Sequence, residues 1–228
     1  MIKKLLDSKK ARLIGVALII IGLCLSLRPS YNAWRFDRVQ KDMLYSWHTA
    51  NTFQQDTVLA GWQFTVAVVG DDSANDVWEE NINPRIDTKY IVNNMDGILT
   101  IDRIRLSVPI ISKYTINNLS VSICTVIDSR KMGQVGNYVV AGHKSRIRGR
   151  HFNRLHELKN GDFIVAENKS AKYTYLVTDV FTVTPADVWV MDDDADKAII
   201  TLITCDYRTD PIGRLIVKGE LVRNEPVF

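Results

Sequence analysis

The chain is 228 residues long, 46% hydrophobic and 24% charged, a composition that supports a buried core and excludes a disordered or fibrous chain. Its formal charge of +3 misleads if read globally: Lys3, Lys4, Lys9, Lys10 and Arg12 face Asp7 alone, so residues 1–12 hold +4 and the rest −1, which excludes a nucleic-acid-binding body. Three cysteines, Cys24, Cys124 and Cys205, are too few for a disulfide framework.

Residues 1–12 read as a basic cytoplasmic tail and 13–28 as a transmembrane anchor. The run LIGVALIIIGLCLSL (13–27) is uncharged, with Arg12 before it and Arg28-Pro29 after it. It is short for a span, but Ala11 and flanking Lys or Arg side chains that snorkel extend its reach. The following SLRPSYNAW offers no small-x-small cleavage site, so the run reads as an uncleaved anchor in preference to a signal peptide. Either way the body is expected to work outside the membrane.

Residues 29–95 read as a helical stalk or extension, because Phe36, Val39, Met43 and Trp47 recur at three- and four-residue spacing. Within it, 62–69 alternates like a strand and 71–81 is acidic. From residue 96 to 228 the texture changes to short β-type runs between turn residues, at 98–110, 120–127, 137–142, 162–167, 172–183, 198–204 and 213–222. Such spacing predicts a mainly β fold, a closed or nearly closed barrel of seven to eight strands. One helix-like patch, 150–162, interrupts them, with Phe152, Leu155 and Leu158 on one face and Gly161 to end it.

Cys205 stands where the apolar run AIITLIT stops. As a nucleophile it needs a base, and of four histidines only His143 also follows an apolar run, NYVVAG. His48 belongs to the stalk, while His151 and His156 flank the amphipathic patch. Arg214 opens the run after the Cys205 loop, and a hairpin would return its guanidinium to the same rim to steady an oxyanion. The competing reading is a silent anchored binding module in which Cys124 pairs with Cys205.

The ordered set His143, Cys205, Arg214 resembles the sortases, the membrane-anchored cysteine transpeptidases of Gram-positive bacteria. TLITC (201–205) looks like the sortase signature, MGQVGNYVVAGHKS (132–145) resembles the segment carrying the family's histidine, and 96–110 is similar to its first strand. The resemblance implies Cys205 as nucleophile, His143 as acid/base, Arg214 as oxyanion or carbonyl donor, and Thr204 as a support for the site. It further implies cleavage of a Leu-Pro-X-Thr-Gly-type sorting signal between Thr and Gly through a thioester. The acceptor would be a cell-wall amine on a peptidoglycan precursor. Val188 and Trp189, in the loop after TVTPAD, are the expected groove residues. No metal or cofactor is expected, DDDAD (192–196) reading as a solvated turn.

As to subclass, MGQVGNY, TPADV and the single anchor look most like class A, while the nine-position step from Cys205 to Arg214 and the long 29–95 region fit class D or E about as well. No Asp-Pro-aromatic triplet precedes the barrel, which sets the pilin-polymerising type aside as the alternative.

Overall fold

A computed structural model describes residues 8–53, 90, 93–145, 147 and 150–227. The expectations for 62–69 and 71–81 lie outside the described residues. Two compact units divide at residues 41 and 42.

The first unit holds most of helix α1 (Ser8–Phe53), which takes in the apolar run. Leu13, Ile14, Val16, Leu18, Ile19, Ile20, Ile21, Leu23 and Leu27 are all exposed along it. Among the described residues no helix is long and apolar enough to cross a membrane.

In the second unit the last turns of α1 bury Met43 and Trp47, two of the residues whose spacing predicted this helix, and Lys169 Nζ lies 5.7 Å from the Trp47 ring centroid. The remainder is a closed eight-stranded barrel. Its strands are β1 (Met95–Ile101), β2 (Leu106–Ile111), β3 (Ile123–Thr125), β4 (Gly136–Ala141), β5 (Phe163–Glu167), β6 (Ala171–Val183), β7 (Ala198–Asp206) and β8 (Gly213–Pro226). Around the barrel they run β1-β2-β3-β4-β7-β8-β6-β5, and β5 closes on β1. Closure removes the edges that an open sheet would otherwise expose.

Three expected elements form differently. The run 98–110 is a hairpin, because Asp102–Ile104 form a 3₁₀ turn and Arg105 adopts φ 52 before β2. The run 120–127 yields only the three-residue β3, since Thr115 caps a helix α2 (Ile116–Val121) by accepting from the Asn118 N–H at 3.0 Å. The patch 150–162 makes turns and one 3₁₀ turn, Leu155–Glu157. Its apolar face does as expected: Phe152, Leu155 and Leu158 are buried, and Gly161 takes φ +91 at the end.

Period-two alternation sorts the side chains. Tyr138 and Val140 of β4, Ile200 and Leu202 of β7, and Leu215 and Val217 of β8 belong to the core. Their neighbours Ile203, Cys205, Arg214 and Ile216 therefore stand on the outer face.

Candidate active site

The register of three strands builds the site. β7 pairs antiparallel with β8, and in that ladder Cys205 sits directly opposite Arg214. Residues paired this way project from the same face. β4 pairs parallel with β7, Ala141 opposite Ile203, and the Gly142 N–H donates to the Ile203 carbonyl at 3.0 Å. His143 follows two residues beyond that pair, and it lines one recess with Cys205.

Gly142 is required where it stands, because a Cβ there would meet the Phe152 ring at 2.6 Å and Ile123 at 2.7 Å. That close approach lets the Phe152 N–H donate to the His143 carbonyl at 3.1 Å, which fixes the backbone of the histidine. Cys205 is half-buried, in the strand itself and not in the loop behind it. One recess is lined by His143, Thr204, Cys205 and Arg214 together with Tyr114, Leu119, Gly142 and Ile203. Sequence spacing named His143, Cys205 and Arg214, and the family resemblance added Thr204. It missed the apolar wall of Tyr114, Leu119 and Ile203, for which the Thr115 cap was the available signal.

Val188 and Trp189 do not line this recess. They stand exposed on the β6–β7 loop, where Trp189 stacks on Phe181 with centroids 5.9 Å apart and Lys218 Nζ lies 5.7 Å from the Trp189 centroid. Phe181 pairs with Ile216, and Ile216 pairs with Ile203, so this stack ends a cross-strand row that begins in the recess. Thr204 is buried, and its hydroxyl makes no hydrogen bond among the described residues. The acidic run is spent on its own loop: Asp193 accepts from the Asn137 N–H and pairs with Arg130, and Asp194 accepts from the N–H groups of Asp196 and Lys197.

The cysteines separate by environment. Cys124 and Cys205 are both free, which removes the disulfide on which a silent module rested. Burial pushes the Cys124 thiol up to about 12, so it stays protonated and unreactive. Partial burial lowers the pKa of His143 below the usual histidine value.

Behind His143, at right angles and 6.2 Å between centroids, lies the ring of His151. Burial first, then the charges of His143 and Arg150, bring His151 down to about 3. The unfolded chain binds a proton at His151 below about 6.5 while the folded chain does not, so this residue removes stability as pH falls from about 6.5 toward 3. Urea denaturation should therefore show the wild type losing about 2 kcal/mol between pH 7 and pH 5 that a His151→Phe variant keeps. Equal losses in the two proteins would contradict this assignment.

Comparison with known proteins agrees with this geometry. The profile described as the Sortase domain matches residues 99–222. The chain belongs to the sortase family. It is similar to Sortase A of Bacillus anthracis, with 30% identity over 92% of this chain and 93% of that relative. The structure of Listeria monocytogenes sortase A superposes with a TM-score of 0.56 at 30% identity, over 59% of this chain and 92% of that one. Sortase C1 of Streptococcus agalactiae gives 0.53 at 26% identity, over 63% and 75%. This sortase is therefore a cysteine transpeptidase, built on the mainly β barrel that its alternating runs predict.

Proposed function

We propose that this sortase cleaves a Leu-Pro-X-Thr-Gly-type signal at the Thr–Gly bond, with Cys205 as nucleophile, His143 as acid and base, and Arg214 as carbonyl donor. The observation that carries the reading is the register that sets Arg214 opposite Cys205, beside a recess that His143 also lines. The Cys205 thiolate attacks the threonine carbonyl carbon, and the Arg214 guanidinium donates to the oxygen as it becomes negative. The C–N bond then breaks, and the leaving glycine amine takes a proton from the His143 imidazolium. An incoming cell-wall amine attacks the thioester carbonyl and passes a proton to His143, the C–S bond breaks, and the second half restores the Cys205 thiolate and the His143 imidazolium.

Partial burial of His143 disfavours its imidazolium form, so the site does not hold this base charged at rest. A thioester that outlives the leaving peptide until an amine arrives suits such a site. The apolar wall of Tyr114, Leu119 and Ile203 supports binding of the apolar half of the signal. Trp189 and Val188 border the outer end of the same row, and Thr204 supports the sulfur through the backbone of β7.

Mass spectrometry of the full chain incubated with a panel of sorting peptides tests the reading. A covalent adduct at Cys205 equal to the peptide up to its threonine is expected. Absence of any adduct across the panel, with the thiol still titratable, would overturn it.

We place the catalytic barrel outside the cell, held by residues 13–28 with the N-terminus cytoplasmic, and group the protein with the housekeeping class A type. The exposed apolar side chains along α1, Leu13, Ile14, Val16 and Leu18 to Ile21 among them, and the basic residues that precede them in the sequence support the anchor. Similarity to a Sortase A over 92% of this chain supports the class. Deleting residues 1–28 should release a soluble body whose turnover stays within about twofold of the full chain. Loss of folding or activity on truncation would show that the segment does more than tether.

A further inference from the structure

The sequence neighbours of Cys205, His143 and Arg214 converge on one residue, Asp206, through its buried carboxylate or its main chain. Asp206 follows Cys205 in β7, points to the inner side at the end of the barrel, and has a side chain 1% exposed. Lys144, the neighbour of His143, brings its Nζ to 3.8 Å from Asp206 Oδ1. On the Arg214 side the connection runs through the loop. Gly213 donates its N–H to Thr209 Oγ1 at 2.7 Å, and that hydroxyl donates to the Asp206 carbonyl at 3.1 Å.

Gly213 and Asp206 are also a pair in the β7–β8 ladder, one step beyond Cys205 and Arg214. A side chain at Gly213 would collide with Thr209 Oγ1 at 2.8 Å and with Thr182 at 2.9 Å. Two further groups fix the carboxylate. Arg208 grips it in a fork, Nε to Oδ1 and Nη2 to Oδ2, both at 2.8 Å, with its own N–H on Oδ1 at 3.2 Å. Thr182 of β6 donates its hydroxyl to Oδ2 at 2.8 Å.

We propose that Asp206 is a positioning residue for transpeptidation, one carboxylate that ties the β6 end, the β7–β8 loop and the His143 segment together beneath the reacting groups. It rests on the sortase reading of Cys205, His143 and Arg214. Fork geometry is what makes the carboxylate suited to this: a planar guanidinium and a planar carboxylate fix each other's orientation as well as their distance. The ion pair also settles the charge balance, since burial of a lone carboxylate at this depth would be costly and its guanidinium partner holds its pKa well below the usual carboxylate range. Reaction at Cys205 needs His143 and Arg214 placed to within fractions of an ångström, and a displacement of about 1 Å costs on the order of 100-fold in rate.

Asp206→Asn removes the charge at nearly constant shape. In the full chain it should lower kcat at least tenfold on a Leu-Pro-X-Thr-Gly peptide, with KM within twofold of wild type and a cooperative thermal transition. Arg208 is 57% exposed, so Arg208→Met keeps the fold while releasing the fork, and a kcat loss of about fivefold with unchanged KM is expected. The double variant should be no worse than Asp206→Asn alone, because both changes break one unit. If Asp206→Asn fails to fold, Arg208→Met decides alone. Rates within twofold of wild type, or a KM that rises as kcat falls, would overturn the proposal.

Alkylation of Cys205 by iodoacetamide gives a substrate-free reading, with a change of at least threefold expected and equal rates overturning the role. If wild-type protein cleaves no peptide, the sorting-signal reading fails, while the alkylation arm still judges Asp206.

Discussion

Replacing Cys205 by alanine is expected to abolish both thioester formation and transfer, leaving turnover at least about 10⁴-fold below wild type. Without the sulfur there is no covalent intermediate, and neither His143 nor Arg214 can supply one. A fluorogenic sorting peptide read over hours sets the detection floor, and mass spectrometry checks that the adduct is gone. Cys124→Ala is the matched control: that thiol is fully buried and held protonated, so its removal should change stability before rate. Undiminished turnover by the Cys205 variant would move the nucleophile elsewhere.

Arg214→Lys should lower kcat by about 10²–10³, equivalent to about 2.7–4 kcal/mol of transition-state stabilisation. Lysine keeps the charge, so the loss isolates geometry. In the structure the guanidinium already spends Nη1 on the Gly213 carbonyl at 3.1 Å, which turns the rest of its fork toward the recess beside Cys205. An ammonium on a flexible stem has no such second hold and cannot present two donors in one plane. Steady-state kinetics at saturating peptide measure the effect, and a rate within threefold of wild type would remove Arg214 from the chemistry.

The site was more legible in the sequence than the surface around it. Apolar runs ending at His143 and Cys205, with Arg214 nine positions beyond, carried the three residues that the β4–β7–β8 register brings together. Strand ends are readable because period-two patterns stop where the core stops. The recess wall was not readable, because Leu119 belongs to a one-turn helix whose only local signal is the Thr115 cap. Leu119 also borders Ile203 only after the barrel closes. The 150–162 patch shows the opposite failure. Phe152, Leu155 and Leu158 share one apolar face as their spacing predicts, and that face is buried, but the backbone forms only turns and one 3₁₀ turn. Asp206 went unnoticed for a related reason. Its weight comes from partners at Lys144, Thr182 and Arg208, which only the tertiary fold brings to one point.

The parallel pairing of β4 with β7 carries a kinetic consequence. His143 and Cys205 are 62 positions apart, and the intervening chain includes β5 and β6, which close the opposite side of the barrel. That separation gives the reactive pair a high contact order, so its loop-closure entropy is met only when the remote strands have condensed. The β7–β8 pairing is local, nine positions from Cys205 to Arg214, whereas the β4–β7 pairing on which His143 depends is remote in sequence. Contact order therefore predicts that Cys205 and Arg214 pair before His143 reaches the recess, an order that φ-values at Val139 of β4 and Leu215 of β8 would test.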